Sequence, residues 1–163
     1  MKSFLTAVAL SIASFFLYKH YGQGENSAPL VIEEPAYAQM RASVDIQGRE
    51  IEMAVFVRSA GMAECDAKTR DTWADVLESC PTCKLHEPEC RERLAPRYAR
   101  LFDDVPIPSA YLSANAGNAT ERDGRIVVYG LTDEEGVIVC GMLRKEIAKR
   151  YQGALNCIAP SKG

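Results

Sequence analysis

ASVDIQGREIEMAVFVR, residues 42–58, decides the fold class. From Ile51 onward the apolar residues alternate. Ile51, Met53, Val55 and Val57 share one face, and Glu52, Ala54 and Phe56 take the other. A period of two is the mark of a strand with a buried face. Val44 and Ile46 start an earlier strand, and Gln47-Gly48 supplies the turn between them. The stretch therefore predicts a β-hairpin.

Downstream the period changes. Met62, Cys65, Thr69, Trp73, Val76, Leu77 and Cys80 recur near helical spacing, with Asp66, Lys68, Arg70, Asp71 and Glu78 on the other faces. This predicts an amphipathic helix stopped by Pro81. Pro88 suits the first turn of a second helix. Its stripe is Cys90, Leu94, Tyr98, Leu101 and Phe102, with a kink or restart expected at Pro96. Together the two form a helical hairpin. Residues 103–109 read as a loop, Tyr111 and Leu112 open a short strand, and 114–124 form polar turns. Arg125–Gly130, RIVVYG, reads as a central strand.

Thr132 and Glu135 match a capping box, and Asp133 and Glu134 suit a helix start. Val137, Cys140, Leu143, Ile147 and Tyr151 form the stripe of this long C-terminal helix. Residues 153–163 show no clear period, and no internal repeat is visible. The fold class is α+β, a small domain with a β-hairpin, a helical hairpin, further strands and a long last helix.

The chain has 163 residues, 25% charged and 47% hydrophobic, with a net charge of −3. That composition fits one domain with appendages and excludes a wholly disordered chain. Mild acidity argues against nucleic acid as a partner. At the amino terminus, residues 4–18 run without charge, flanked by Lys2 and Lys19. As a helix they reach about 22 Å, which suits a signal peptide or a short signal anchor. Residues 1–21 are thus read as the export segment, 22–40 as a flexible tether and 41–163 as the folded domain. The expected place is membrane-anchored, facing the periplasm or cell exterior, or secreted after cleavage near Ala36-Tyr37-Ala38. The expected partners are the membrane, through residues 4–18, and another extracytoplasmic or envelope protein.

Six cysteines, at 65, 80, 83, 90, 140 and 157, point in such a chain to disulfides. Cys65 and Cys80 on one continuous helix would stand roughly 22 Å apart, beyond disulfide reach. A local staple from Cys80 or Cys83 to Cys90 is expected. Cys65, Cys140 and Cys157 then share the long-range links with the cysteine left over. Two other chemistries use the same residues. Cys80-Pro81-Thr82-Cys83 is a C-P-x-C tetrapeptide of the kind used in thiol–disulfide exchange, although a helix precedes it here where a strand would be usual. Cys80, Cys83, His86 and Cys90 supply four ligand types that suit zinc.

NAGNATERDGRIVVYGLTDEEGVIVCGMLRKEIAKRY, residues 115–151, locally resembles the strand-then-helix segment of the HExxH gluzincin metallopeptidases. The matching pieces are Asn115-Ala116, Gly124 to Val128, and Gly130-Leu131, and Glu146 falls on the general base. The resemblance places Lys145 and Lys149 where the family has its two metal-binding histidines. An ammonium has no free lone pair to give a metal, so the resemblance implies a non-catalytic relative.

No phosphate-cradling glycine loop or other cofactor motif is present, and His20 and His86 are the only histidines, so no catalytic residues are assigned. Asn118-Ala119-Thr120 is a glycosylation sequon. Arg91, Arg93, Arg97 and Arg100 cluster, either as a solvated face or as a contact for an acidic partner or lipid headgroups. The functional expectation is a disulfide-stabilised binding or structural module. Its alternatives are a thiol–disulfide oxidoreductase and the inactive peptidase relative.

Overall fold

A computed structural model describes residues 28–161, except Pro81 and the side chains of residues 73–79. The apolar run 4–18 lies outside the described residues, as do the side chains of Trp73, Val76 and Leu77. Among the described residues no helix is long and apolar enough to cross a membrane.

The hairpin forms from β1 (Ala36–Ile46) and β2 (Arg49–Ser59). Gln47 and Gly48 have φ of 55° and 79°. Two left-handed residues give the turn twist that a tight hairpin needs. β1 opens at Ala36, inside the stretch read as tether. Ala36, Ala38 and Met40 alternate inward and extend the buried face by three positions.

The expected amphipathic helix is α1 (Met62–Ser79). The helix expected after it is absent. Residues Lys84–Arg91 are instead a strand, β3, paired antiparallel with β1. The reason lies in a bulge. Gln39 pairs with Glu89 and Arg41 with His86, so β3 spends one extra residue there. Leu85 and Cys90, five apart, both reach the core, which a regular period of two would forbid. Pro88 sits at this bulge on an edge strand, where a missing N–H is tolerated.

Pro96 does restart a helix, the single turn α2 (Pro96–Ala99), continued by a 3-10 turn at Arg100–Asp103. β4 (Tyr111–Asn115) and β5 (Gly124–Tyr129) follow, then α3 (Asp133–Ile147), with its capping box. The C-terminal stretch expected to be irregular contains a last strand, β6 (Ala154–Ile158). Val137, assigned to the buried stripe of α3, is 50% exposed. The stripe is Gly136, Cys140, Leu143 and Ile147. A Cβ on Gly136 would stand 3.3 Å from the Ala110 Cβ, so glycine lets the helix come close there.

All six strands form one antiparallel sheet in the order β3-β1-β2-β5-β4-β6. That order hides a repeat which the sequence does not show. Each half is a hairpin, a helix and a third strand that returns beside the first strand of its hairpin. The halves meet where β2 pairs with β5. An approximate two-fold axis placed on the Phe56–Arg125 pair relates Val57 to Ile126. The same operation relates Ala38 to Leu112. Cys90 pairs with Ala38 and Cys157 with Leu112, so these cysteines stand at equivalent ladder positions.

α1 and α3 cover one face of the sheet, where Met40, Ile51, Met53, Val55, Leu112, Ile126, Leu143 and Ile147 form the larger core. The segment between the halves crosses the other face. There Tyr98 and Leu101 pack on Ala54, Phe56, Tyr111 and Val127.

Candidate functional site

The crossing segment leaves a groove of about 470 Å³ on this second face. Its apolar surface comes from Leu101, Ile107 and Pro108 and from the rings of Tyr98 and Tyr129. Arg41, Glu52, Arg97 and Arg100 complete it. The period-two pattern aims Arg41, Glu52 and Tyr129 at this face, and Pro96 starts the turn that carries both outer arginines.

The charges are not equivalent. Arg41 donates from Nε and Nη2 to the two Glu52 oxygens at 2.9 and 2.7 Å. This fork neutralises both groups, and the Glu52 hydrogen bond raises the Arg41 pKa. Arg97 lies over the Tyr98 ring, 4.4 Å from its centroid. Arg97 and Arg100 are exposed and form no ion pair with a described residue. The groove therefore carries two cations that no described carboxylate pairs with, beside apolar surface. Burial, reinforced by Tyr98 and Glu52, pushes the Tyr129 phenol up to about 12, so at neutral pH it is an uncharged donor. This combination suits an anion attached to an apolar body.

Behind the groove lies a buried arginine that sequence reading missed. Arg125 is 2% exposed. It donates to the carbonyls of Leu101, Ala114 and Gly124 at 2.7, 2.9 and 2.8 Å, and to Asn115 Oδ1 at 3.0 Å. Asp104 Oδ1 lies 3.3 Å away, too poorly aligned for a hydrogen bond. Burial lowers the Arg125 pKa, and Asp104 opposes that shift. Arg125 thus fastens the crossing segment to the sheet at the junction of the halves. Its one sequence signal was a charge opening an apolar strand, which also fits a solvated strand end.

A second polar cluster joins the halves on the helix side. Glu64 Oε1 accepts from Arg122 Nη2 at 2.9 Å and lies 2.6 Å from Lys68 Nζ, and Oε2 accepts from the Ala60 N–H. Burial raises the Glu64 pKa, but the Lys68, Ala60 and Arg122 hydrogen bonds outweigh it and leave the carboxyl at about 2. Nearby, the sequon residue Asn118 is 3% exposed. Its Oδ1 accepts from the Thr120 and Glu121 N–H groups at 3.0 Å each, and its Nδ2 donates to Gln152 at 3.2 Å. The acceptor nitrogen of the sequon is therefore enclosed within the folded chain.

All six cysteines are in disulfides: Cys65–Cys90, Cys80–Cys83 and Cys140–Cys157. The expected staple from Cys80 or Cys83 to Cys90 does not form. β3 brings Cys90 under the first turn of α1, beside Cys65, whereas Cys80 stands at the far end of that helix. The four candidate zinc ligands are also dispersed. Cys80 and Cys83 bond each other, and Cys90 bonds Cys65. His86 pairs with Arg41 on the face away from Cys90. Among the described residues no group of three or more His, Cys, Asp or Glu is placed to hold a metal. In α3, Glu146 pairs with Lys149 at 2.5 Å, and Lys145 is exposed.

No family model, curated protein or solved structure matches this chain.

Proposed function

We propose that this chain is a binding module of an oxidising, extracytoplasmic compartment, and that its groove takes an extended, acidic–apolar segment of a protein partner. Three disulfides with no free cysteine among the described residues support the compartment. The observation that carries the binding reading is Arg97 and Arg100, exposed and without an ion pair to a described residue, beside the apolar surface of Tyr98, Leu101, Ile107 and Pro108. Residues 4–18, as an export segment or anchor, would place the module outside the cytoplasm or hold it at the membrane surface. The test uses labelled octapeptides with a Glu pair after an apolar triplet, titrated by fluorescence anisotropy. Arg97→Glu with Arg100→Glu is expected to weaken binding at least tenfold. Equal binding by wild type and variant would remove the groove from consideration.

One observation favours a second reading, thiol–disulfide exchange at Cys80–Cys83. The other two bonds are counterparts in the two halves, and this one has none. Against it, Cys80 follows the carboxyl end of α1, where the helix dipole opposes a thiolate. Catalysed reduction of insulin disulfides that Cys80→Ser abolishes would establish this reading.

A further inference from the structure

We infer that the segment Leu30–Glu34 of one copy of this chain occupies the arginine groove of another copy. This inference rests on the groove reading above and names its occupant. Pro-Leu-Val-Ile-Glu-Glu-Pro, residues 29–35, leads into β1 without helix or strand. Leu30 and Val31 are large apolar side chains, 46% and 86% exposed. Glu33 and Glu34 are also exposed, and neither forms an ion pair with a described residue. An apolar triplet followed by two carboxylates complements an apolar surface beside two exposed guanidiniums.

Two further points favour this occupant. The flanking prolines disfavour helical backbone at Ala28 and Glu34, which lowers the entropy lost on docking. Within one copy the segment stays outside its own groove. None of residues 30–34 lines the groove. The match is therefore between copies, and two copies that exchange segments would fill both grooves. A membrane surface is a poorer match, because lipid recognition uses clusters of about four to eight cations on an open face. Here there are two, in a concave site that also holds Glu52.

The test uses the full chain with a photo-crosslinking phenylalanine analogue at Val31, mixed with a differently tagged copy. The expected product is a copy-to-copy cross-link mapping to residues 97–108. Arg97→Glu with Arg100→Glu in the acceptor is expected to lower its yield at least tenfold, and so is Glu33→Lys with Glu34→Lys in the donor. Pairing the two charge-reversed copies is expected to restore it, which also shows that both variants fold. A yield indifferent to charge reversal overturns the inference, as does cross-linking only to lipid or to other proteins. Anisotropy with a labelled peptide of residues 28–35 separates the two levels. If the peptide binds wild type but not the arginine variant and no copy-to-copy product forms, the groove reading stands and this inference falls. If the peptide does not bind and no product forms, both fall.

Discussion

The two halves of the sheet share a plan but differ in how they are held. In the first half, Cys65–Cys90 ties α1 to β3; in the second, Cys140–Cys157 ties α3 to β6. The strand cysteines are symmetry counterparts, whereas the helix cysteines sit at the fourth residue of α1 and the eighth of α3. Each helix also begins with a glutamate that reaches an arginine of the other half. Glu64 meets Arg122, whose side chain is 10% exposed, and Glu135 meets Arg49, which is 42% exposed. A shared scaffold thus carries one sheltered clasp and one solvated clasp. The β2–β5 ladder joins the halves, Arg125 fastens the crossing segment to the second half, and the symmetry of the strands does not extend to the two clasps.

Arg125→Met is expected to break the comparison outright. It removes a buried charge and takes a donor from three buried carbonyls and from Asn115 Oδ1. A buried acceptor left without its donor costs about 1–3 kcal/mol. Urea denaturation followed by tyrosine and tryptophan fluorescence is expected to show both halves unfolding in a single, earlier transition. Two separated transitions would show that the halves are independent domains.

The disulfides sharpen the comparison. Replacing Cys65 and Cys90 by alanine, or Cys140 and Cys157, is expected to cost about 3 kcal/mol in either half, because the closed loops are of similar length. The Cys80–Cys83 loop is far shorter, and its removal is expected to cost about 2 kcal/mol at most. Melting temperatures of the three double variants would rank them. A Cys80–Cys83 variant as damaged as the others would contradict the view that this bond lies outside the shared plan.

The clasps give the smallest effects. Glu64→Gln is expected to cost about 1–2 kcal/mol at neutral pH, since charged hydrogen bonds are lost from a partly solvated site. The carboxyl is depressed on folding, from about 4.5 to about 2. Its contribution is therefore complete above pH 4.5 and is lost as pH falls through 2. The variant's stability is expected to change less than wild type across that window. Glu135→Gln preserves the capping-box pattern and is expected to change stability less than Glu64→Gln.

How much of this was legible depended on window length and on register. The β1–β2 hairpin declared itself because eleven-residue strands repeat the alternation many times around a Gln-Gly turn. β5 and the capped start of α3 were equally plain. β3 was misread because its bulge breaks the alternation, so Leu85 and Cys90 mimic no strand and Pro88 mimics a helix start. β6 was missed because Leu155 and Cys157 are too few inward residues to set a period. The repeat left no mark in sequence, because ladder position constrains geometry and leaves residue identity free. Of the groove, the Arg97 and Arg100 cluster was visible. That Arg41 would be neutralised and those two left exposed depended on a cross-strand pairing no local pattern encodes.

The closure around Asn118 has a consequence for making the protein. In a secretory host that attaches glycans to the emerging chain, Asn118-Ala119-Thr120 is open to modification before the loop folds. A sugar on Nδ2 has no room at a side chain 3% exposed and would wedge apart residues that must come together, Gln152 among them. Glycan addition and folding would then compete for one nitrogen, and every chain that loses that race would be a chain with its second half unable to close.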